Sequence, residues 1–115
     1  MIISLPLKPL SINAAFCGRR FKTPAYRQYD KALDIHLLPF KRDIVHCDWY
    51  EVFYIFYLKN FGMTDGDNCV KALCDGLVRN GFLADDRRIK RFHVEKFKST
   101  ADRIEVEIVP YKEAK

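Results

Sequence analysis

The sequence predicts one small domain of the α+β (mixed α/β) class, with its elements in the order β-α-β-α-β-β. Three observations predict this class. The chain has 115 residues, which is the length of a single domain. Two segments repeat apolar residues at helical spacing, and four others are apolar or alternate in the manner of strands. Apolar residues make up 49% of the chain and charged residues 30%, a globular composition that excludes disorder, collagen-like repeats and a coiled coil.

The first strand, loop and helix follow from proline and threonine positions. Ile2–Leu5 is an apolar run that a proline ends, which is typical of a short strand. Residues 8–22 contain Pro, Ser, Asn and Gly among basic residues and are predicted to be a loop. Thr23 and Pro24 predict a helix start, because threonine accepts a hydrogen bond from a free amide and proline lacks one. Pro39 is expected to end this helix. The apolar face of the helix comprises Tyr26, Tyr29, Leu33, His36 and Leu37.

The second strand is predicted at residues 48–58, which are mostly apolar on both alternating faces. Such a strand is usually central in its sheet and covered on both sides. A subunit interface could supply one cover, and core packing is the alternative explanation. A turn is expected at residues 60–66.

The last elements are a helix and two strands. Residues 67–80 form the second helix, and Gly81 can adopt the left-handed conformation that ends it. Ile89–Lys98 and residues 103–109 alternate apolar with charged residues, and we expect them to pair as a hairpin through residues 99–102. The apolar face of the helix comprises Val70, Leu73, Cys74, Leu77 and Val78.

The sequence also bears on location and on zinc. The longest uncharged apolar run, residues 52–58, is far shorter than the roughly 20 residues of a membrane span. The first residues lack the pattern of a secretory signal, so we expect a cytoplasmic protein with no membrane partner. No two cysteines form a C-x-x-C pair, which argues against zinc and favours reduced thiols. The cysteines are Cys17, Cys47, Cys69 and Cys74.

The net charge of +5 is unevenly distributed along the chain. Basic residues dominate residues 1–31 and 87–98, whereas residues 43–86 hold most of the acid. Two basic flanks around an acidic centre indicate a polyanion ligand with a distinct site inside it. On charge alone, an ordinary solvated basic surface explains the same distribution equally well.

The acidic centre carries the candidate chemistry. Asp65 and Asp67 are two residues apart, which in an extended segment places both carboxylates on one side. Lys71 follows Asp67 by one helical turn. A helix cap, an exposed charge ladder and a turn would each explain one of these features, but their combination favours a site. The complete set is Asp65, Asp67, Asn68, Lys71, Asp75, Asp85 and Asp86.

Clustered carboxylates repel one another unless a cation neutralises them. Mg²⁺ suits this role, because it prefers oxygen ligands and binds one or two carboxylates together with substrate phosphates. Lys71 could hold the scissile phosphate, and the basic flanks could position the rest of the backbone. The residues by themselves therefore predict a metal-dependent phosphodiesterase that acts on nucleic acid.

The chain also resembles a known family, the RusA-type Holliday junction resolvases (crossover junction endodeoxyribonucleases) of bacteria and their prophages. The resemblance covers nearly the whole chain. It is carried by Asp65-Gly66-Asp67-Asn68-x-x-Lys71, Asp75-Gly76-Leu77, Asn80-Gly81, Asp85-Asp86, the opening Leu5-Pro6-x-x-Pro9-x-Ser11-x-Asn13, and Glu95-Lys96.

The resemblance implies a homodimeric, Mg²⁺-dependent endonuclease, with Mn²⁺ as a substitute metal, that cuts four-way DNA junctions by paired symmetric nicks. Such an enzyme would act in DNA recombination and repair, in a bacterial or phage setting. The implied metal ligands and catalytic residues are Asp65, Asp67 and Asp86, with Lys71 also catalytic. The implied supporting residues are Asn13, Asn68, Asp75 and Asp85.

The sequence departs from the family pattern just before the D-x-D motif, where residues 60–64 replace a dense basic run. Charge therefore assigns the DNA contacts elsewhere. The candidates are Arg19, Arg20, Lys22, Arg87, Arg88 and Lys90. Two alternatives stay open: a metal-dependent nuclease for other branched DNA or RNA, and a non-catalytic protein that binds branched DNA.

Overall fold

The computed structural model describes residues 1–11, 16–17, 21–64 and 66–113, and for residues 16, 17, 21 and 63 it describes only the backbone. Six strands and two α-helices are formed by these residues, together with short 3-10 turns. The elements are β1 (Ile2–Leu5), β2 (Phe16–Cys17), β3 (Phe21–Lys22), α1 (Pro24–Leu37), β4 (Tyr50–Leu58), α2 (Gly66–Arg79), β5 (Ile89–Lys98) and β6 (Arg103–Pro110), with 3-10 turns at Leu38–Asp43, Phe61–Met63 and Asp86–Arg88.

The predicted α+β class is confirmed. A four-stranded mixed sheet has the order β1-β6-β4-β5, and both helices pack on the face that carries the core. The prediction of a plain loop over residues 8–22 is wrong in one respect, because β2 and β3 pair there as a two-stranded antiparallel ribbon. Each has only two residues, which is too short for an alternating pattern to be recognised in the sequence.

The predicted pairing of the last two strands is also wrong. β4 lies between them, parallel to β5 and antiparallel to β6. The connection crosses the end of β4, where Ser99 N donates to Leu58 O at 3.0 Å and Lys59 N donates to Asp102 Oδ1 at 2.9 Å. Four extended residues reach about 13 Å, enough to pass one strand at roughly 4.8 Å spacing. The apolar β4 thereby occupies the central position that its composition predicts.

The helix ends follow the predicted capping. The Thr23 hydroxyl accepts a hydrogen bond from Tyr26 N at 3.3 Å, and Pro24 is the first residue of α1. The α-helix ends at Leu37, and the chain continues through the 3-10 turn that contains Pro39. Gly81 follows α2 with a φ of +83°, the left-handed conformation that favours glycine. His36 was predicted on the buried face of α1 but is only half-buried.

The core lies between the helices and one face of the sheet. On β4, the inner side chains from Tyr50 to Leu58 are buried at every second position, as predicted. The opposite face of β4 carries Phe53, Ile55 and Tyr57, which are half-buried, and within the described residues no helix packs over them. The sequence predicted that both faces of β4 are covered, but in the described structure the helices cover only one of them. Among the described residues, neither helix has the length and apolar character needed to cross a membrane.

Candidate active site

A cavity of about 430 Å³ lies where α2, β5 and the turn Asp86–Arg88 meet. Four of the predicted site residues line it. They are Asp67, Lys71, Asp75 and Asp86. The rest of the lining is apolar and consists of Val70, Cys74, Phe92 and Val94. The structure therefore brings together residues that lie up to 19 positions apart in the sequence.

Helix α2 supplies three of the polar side chains. Asp67, Lys71 and Asp75 follow one another at four-residue intervals and so occupy one face of the helix. The opposite face buries Leu73 and Leu77 completely in the core. Because the buried face fixes the rotation of α2, the charged face is directed at the cavity.

The turn after α2 separates the two adjacent aspartates. Asp85 caps the turn, since its Oδ1 accepts a hydrogen bond from Arg87 N at 2.9 Å. Its other oxygen forms an ion pair with Arg87 Nη2 at 3.0 Å. These hydrogen bonds from Arg87 hold the pKa of the Asp85 carboxyl well below its usual range. Asp86, in contrast, lines the cavity with Asp67 and Lys71, whereas Asp85 caps the turn.

Asp75 links the cavity to helix α1. Its Oδ1 lies 3.2 Å from Lys71 Nζ, and its Oδ2 lies 3.5 Å from the hydroxyl of Tyr26. Burial, followed by the negative charges of Asp75 and Asp30, raises the pKa of Tyr26 to about 12. Tyr26 is therefore a neutral hydrogen-bond donor at physiological pH. Asp75 is therefore in contact with both Lys71 and Tyr26.

Asp67 and Asp86 differ from Asp75, because neither forms an ion pair within the described part of the chain. Both are exposed and line the same cavity. Asp65, the third predicted ligand, lies outside the described residues, and among those described no group of three His, Cys, Asp or Glu residues is placed to hold a metal. Two carboxylates nonetheless fit Mg²⁺, which typically completes its shell with water and substrate phosphates.

Strand β5 anchors the segment that leads into α2, a contribution that the sequence analysis missed. Lys96 Nζ donates to Phe61 O at 3.0 Å and to Thr64 O at 2.9 Å, and it lies 4.4 Å from the Phe61 ring. A Cβ atom on Gly66 would approach Val94 Cγ1 to 3.1 Å, so glycine permits this close packing. The alternating pattern of β5 contained this signal, because Lys96 follows Phe92 and Val94 at two-residue intervals and therefore lies on the same face of the strand.

The predicted DNA-binding residues flank the cavity on two sides. Arg87 and Arg88 follow Asp86 in the same turn, and Lys90 is the second residue of β5. On the other side, Lys22 Nζ lies 4.4 Å from the ring of Tyr26, the tyrosine that contacts Asp75. Asn68 is half-buried in the first turn of α2 and does not line the cavity. Arg19, Arg20 and Asn13 lie outside the described residues.

The model of one protein family, endodeoxyribonuclease RusA, matches residues 49–109. That is more than half of the chain, and it includes every residue that lines the cavity. The chain belongs to the RusA family. The resemblance predicted from the sequence is thereby confirmed. A search of curated proteins finds no match.

Membership of the RusA family has consequences for the cavity. The family consists of endodeoxyribonucleases that act on branched DNA and depend on a metal ion. A nuclease activity and a DNA partner are therefore supported, as the sequence predicted. In this RusA chain, the matched segment spans β4, α2 and β5 and nearly all of β6, the elements that form the site and the centre of the sheet.

Proposed function

We propose that the protein is a Mg²⁺-dependent endonuclease that resolves four-way DNA junctions by paired symmetric nicks, with Mn²⁺ able to substitute. One observation carries the proposal: Asp67, Lys71 and Asp86 line a single exposed cavity in a chain of the RusA family. Such an activity would belong to DNA recombination and repair, in a bacterium or a prophage.

In this proposal, Asp67 and Asp86 hold the metal ion together with Asp65. The bound ion would supply activation of water and neutralisation of phosphate charge. Lys71 contributes independently of the metal. Its Nζ is oriented by Asp75 and half-exposed at the cavity, so it can donate hydrogen bonds to a phosphate oxygen as negative charge develops there.

The basic residues position the DNA rather than act on it. Among the candidate residues that the structure describes, Arg87 has the most exposed side chain, with 87% of its surface accessible. Arg87 and Arg88 directly follow Asp86. Lys22 lies on the α1 side of the cavity. Contacts from both sides would hold a phosphate backbone across the carboxylates and would weaken with increasing salt. On charge alone, we propose Lys90, Arg19 and Arg20 as further phosphate contacts.

We also propose that two copies form a homodimer through the open face of the sheet. Two symmetric nicks require two sites related by a two-fold axis, and the described chain offers one such cavity. The open face is suitable because no described helix packs over Phe53, Ile55 and Tyr57, which are half-buried. Phe97, which stacks on Tyr57, is 44% exposed. A second copy would supply the missing cover.

Replacing Ile55 tests this dimer. A charge buried in an apolar interface is costly, so Ile55→Lys should convert the dimer into a monomer. Ile35→Lys is the matched control, since Ile35 is 65% exposed on α1 and lies away from the sheet. Sedimentation velocity measures the outcome. A dimer that persists in Ile55→Lys, or a wild-type protein that is already monomeric, would contradict the proposed interface.

The substrate is tested by cleavage of four labelled nucleic acids in parallel: a four-way junction, a flap, a linear duplex and a branched RNA. With Mg²⁺ we expect symmetric nicks in the junction and much slower cleavage of the others. Faster cleavage of the flap or of the RNA would identify a nuclease with another branched substrate. Binding of the junction without nicks, with or without metal, would identify a non-catalytic DNA-binding protein.

A further inference from the structure

A second cavity lies on the other side of the turn Asp86–Arg88. It has a volume of about 610 Å³ and opens to solvent. Each of its two carboxylates forms an ion pair with an arginine. Arg87 Nη2 lies 3.0 Å from Asp85, and Arg88 Nη1 lies 3.9 Å from Asp48. We call it the Trp49 cleft, and its lining consists of Asp48, Trp49, Ala84, Asp85, Arg87 and Arg88.

Trp49 is displayed from a fixed backbone. Its surface is 45% exposed, although tryptophan is highly buried on average. Its carbonyl accepts hydrogen bonds from Tyr111 N at 2.9 Å and from Cys47 Sγ at 3.2 Å. The preceding carbonyl, that of Asp48, accepts one from Arg88 Nη1 at 3.3 Å. An aromatic side chain on so constrained a backbone loses little freedom when a flat ligand stacks on it.

Cationic groups lie near the exposed ring, although Lys90 Nζ also pairs with Glu113 at 3.1 Å. Lys90 Nζ lies 4.9 Å from the centre of the Trp49 ring and 5.4 Å from that of Tyr111. Arg87 and Arg88 line the cleft itself. Exposed aromatic rings among lysine and arginine bind single-stranded nucleic acid, because the bases stack on the rings while the cations contact the phosphates. A base inside a duplex is stacked on both faces, so only an unpaired base can use such a ring.

We propose that the Trp49 cleft binds an unpaired nucleotide of the DNA at its branch point, with the base stacked on Trp49. This rests on the proposed function, because a base pair that opens at the branch point of the bound junction would provide the unpaired base. The turn Asp86–Arg88 contributes Asp86 to the candidate active site and Arg87 and Arg88 to the cleft. A three-residue turn of this kind spans only about 6 Å. A nucleotide held in the cleft therefore places its own strand next to the carboxylates.

The cleft can be observed directly, because Trp49 is the only tryptophan of the chain. We would titrate the wild-type protein with short oligothymidylate in EDTA and follow tryptophan fluorescence and its quenching by acrylamide. Stacking predicts a saturable loss of fluorescence and protection from acrylamide with the single strand, and little change with a duplex of equal length. Unchanged fluorescence at saturating oligothymidylate, or an equal response to the duplex, would overturn the proposal.

Variants separate stacking from charge. We expect Trp49→Ala to weaken single-strand binding by about tenfold, the effect of one lost base–aromatic stack, and to leave duplex binding unchanged. Trp49→Phe should retain most of the affinity. Arg87→Gln should weaken binding to single strand and duplex alike, since it removes a phosphate contact. Equal losses on both DNAs for Trp49→Ala, or no loss at all, would refute a base-stacking role.

These measurements contain EDTA and involve no cleavage, so they are independent of the nuclease assay. If the protein proves not to cut junctions, stacking on Trp49 can still be present or absent. If the protein does cut junctions, Trp49 fluorescence that does not change with oligothymidylate would overturn the cleft proposal and leave the nuclease proposal standing.

Discussion

Asp86→Asn is expected to reduce the single-turnover rate of junction nicking by about 10³-fold while leaving junction binding intact. An amide is a poor ligand for Mg²⁺ and carries no charge, and the metal contributes several kcal/mol to the reaction, where about 1.4 kcal/mol corresponds to a factor of ten. Asp86 is exposed, so the substitution removes no core contact and should not destabilise the fold. The lower rate would therefore reflect the reaction itself. Asp67→Asn and Asp65→Asn should behave in the same way.

The matched control for this variant is its neighbour. Asp85→Asn makes the same change from carboxylate to amide at the preceding residue. Asparagine caps a helical turn as well as aspartate does. Because Asp85 caps the turn and does not line the cavity that contains Asp67, Lys71 and Asp86, Asp85→Asn should nick at close to the wild-type rate. Rates are measured with enzyme in excess, and binding is measured by gel shift in EDTA. Nicking by Asp86→Asn at the wild-type rate, or an equal loss in Asp85→Asn, would contradict the assignment.

Lys71→Ala is expected to lower the single-turnover rate by about 10²-fold to 10³-fold, with only a modest loss of junction affinity. The ammonium group would act on charge that develops during the reaction, and removing one such donor typically costs that much. Its contact with Asp75 at 3.2 Å holds it at the cavity before the DNA arrives.

Lys31→Ala controls for the loss of one positive charge, since Lys31 is an exposed lysine on α1. It should reduce affinity slightly through weaker phosphate attraction and leave the rate of the bound complex unchanged. The measurement is again single-turnover nicking, at protein concentrations that saturate the junction for each variant. If Lys71→Ala then reacts as fast as the wild-type protein, Lys71 has no part in the chemistry.

The sequence predicted the bounds of individual strands and helices better than it predicted which strands pair with one another. The bounds of β1 and β5 and the capped start of α1 agree with the structure, because caps and alternating residues act locally. The pairing of β5 with β6 was wrong, since alternation shows that a segment is a strand but not which strand lies beside it. The doubly apolar pattern of β4 contained the missing information, because it required the central position that separates β5 from β6.

In the candidate site, too, the sequence predicted local spacing but not the separate role of each residue. The spacing of Asp67, Lys71 and Asp75 predicted their common helix face, which depends only on the 3.6-residue period of α2. The sequence could not divide the roles of Asp85 and Asp86 by itself, because both belong to one acidic pair, and the family resemblance ranked them. The structure adds a physical reason, namely that Arg87 engages Asp85 and leaves Asp86 at the cavity.

The exposed ring of Trp49 shows a different limit. In the sequence it is one of several aromatic residues at the start of β4 and suggests core packing. Only the fold shows that Trp49 precedes the strand and lies beside Arg87 and Arg88, which are distant in sequence. Long-range placement of this kind cannot be read from local periodicity.

The central claim is that Asp67 and Asp86 together hold a divalent metal ion. Mn²⁺ binding to the protein without DNA tests it most directly, with unbound Mn²⁺ measured by electron paramagnetic resonance. We predict a saturable site in the wild-type protein and in Asp85→Asn, and its loss in the double variant with Asp67→Asn and Asp86→Asn. Mn²⁺ isotherms that are identical for the wild-type protein and the double variant would contradict the account.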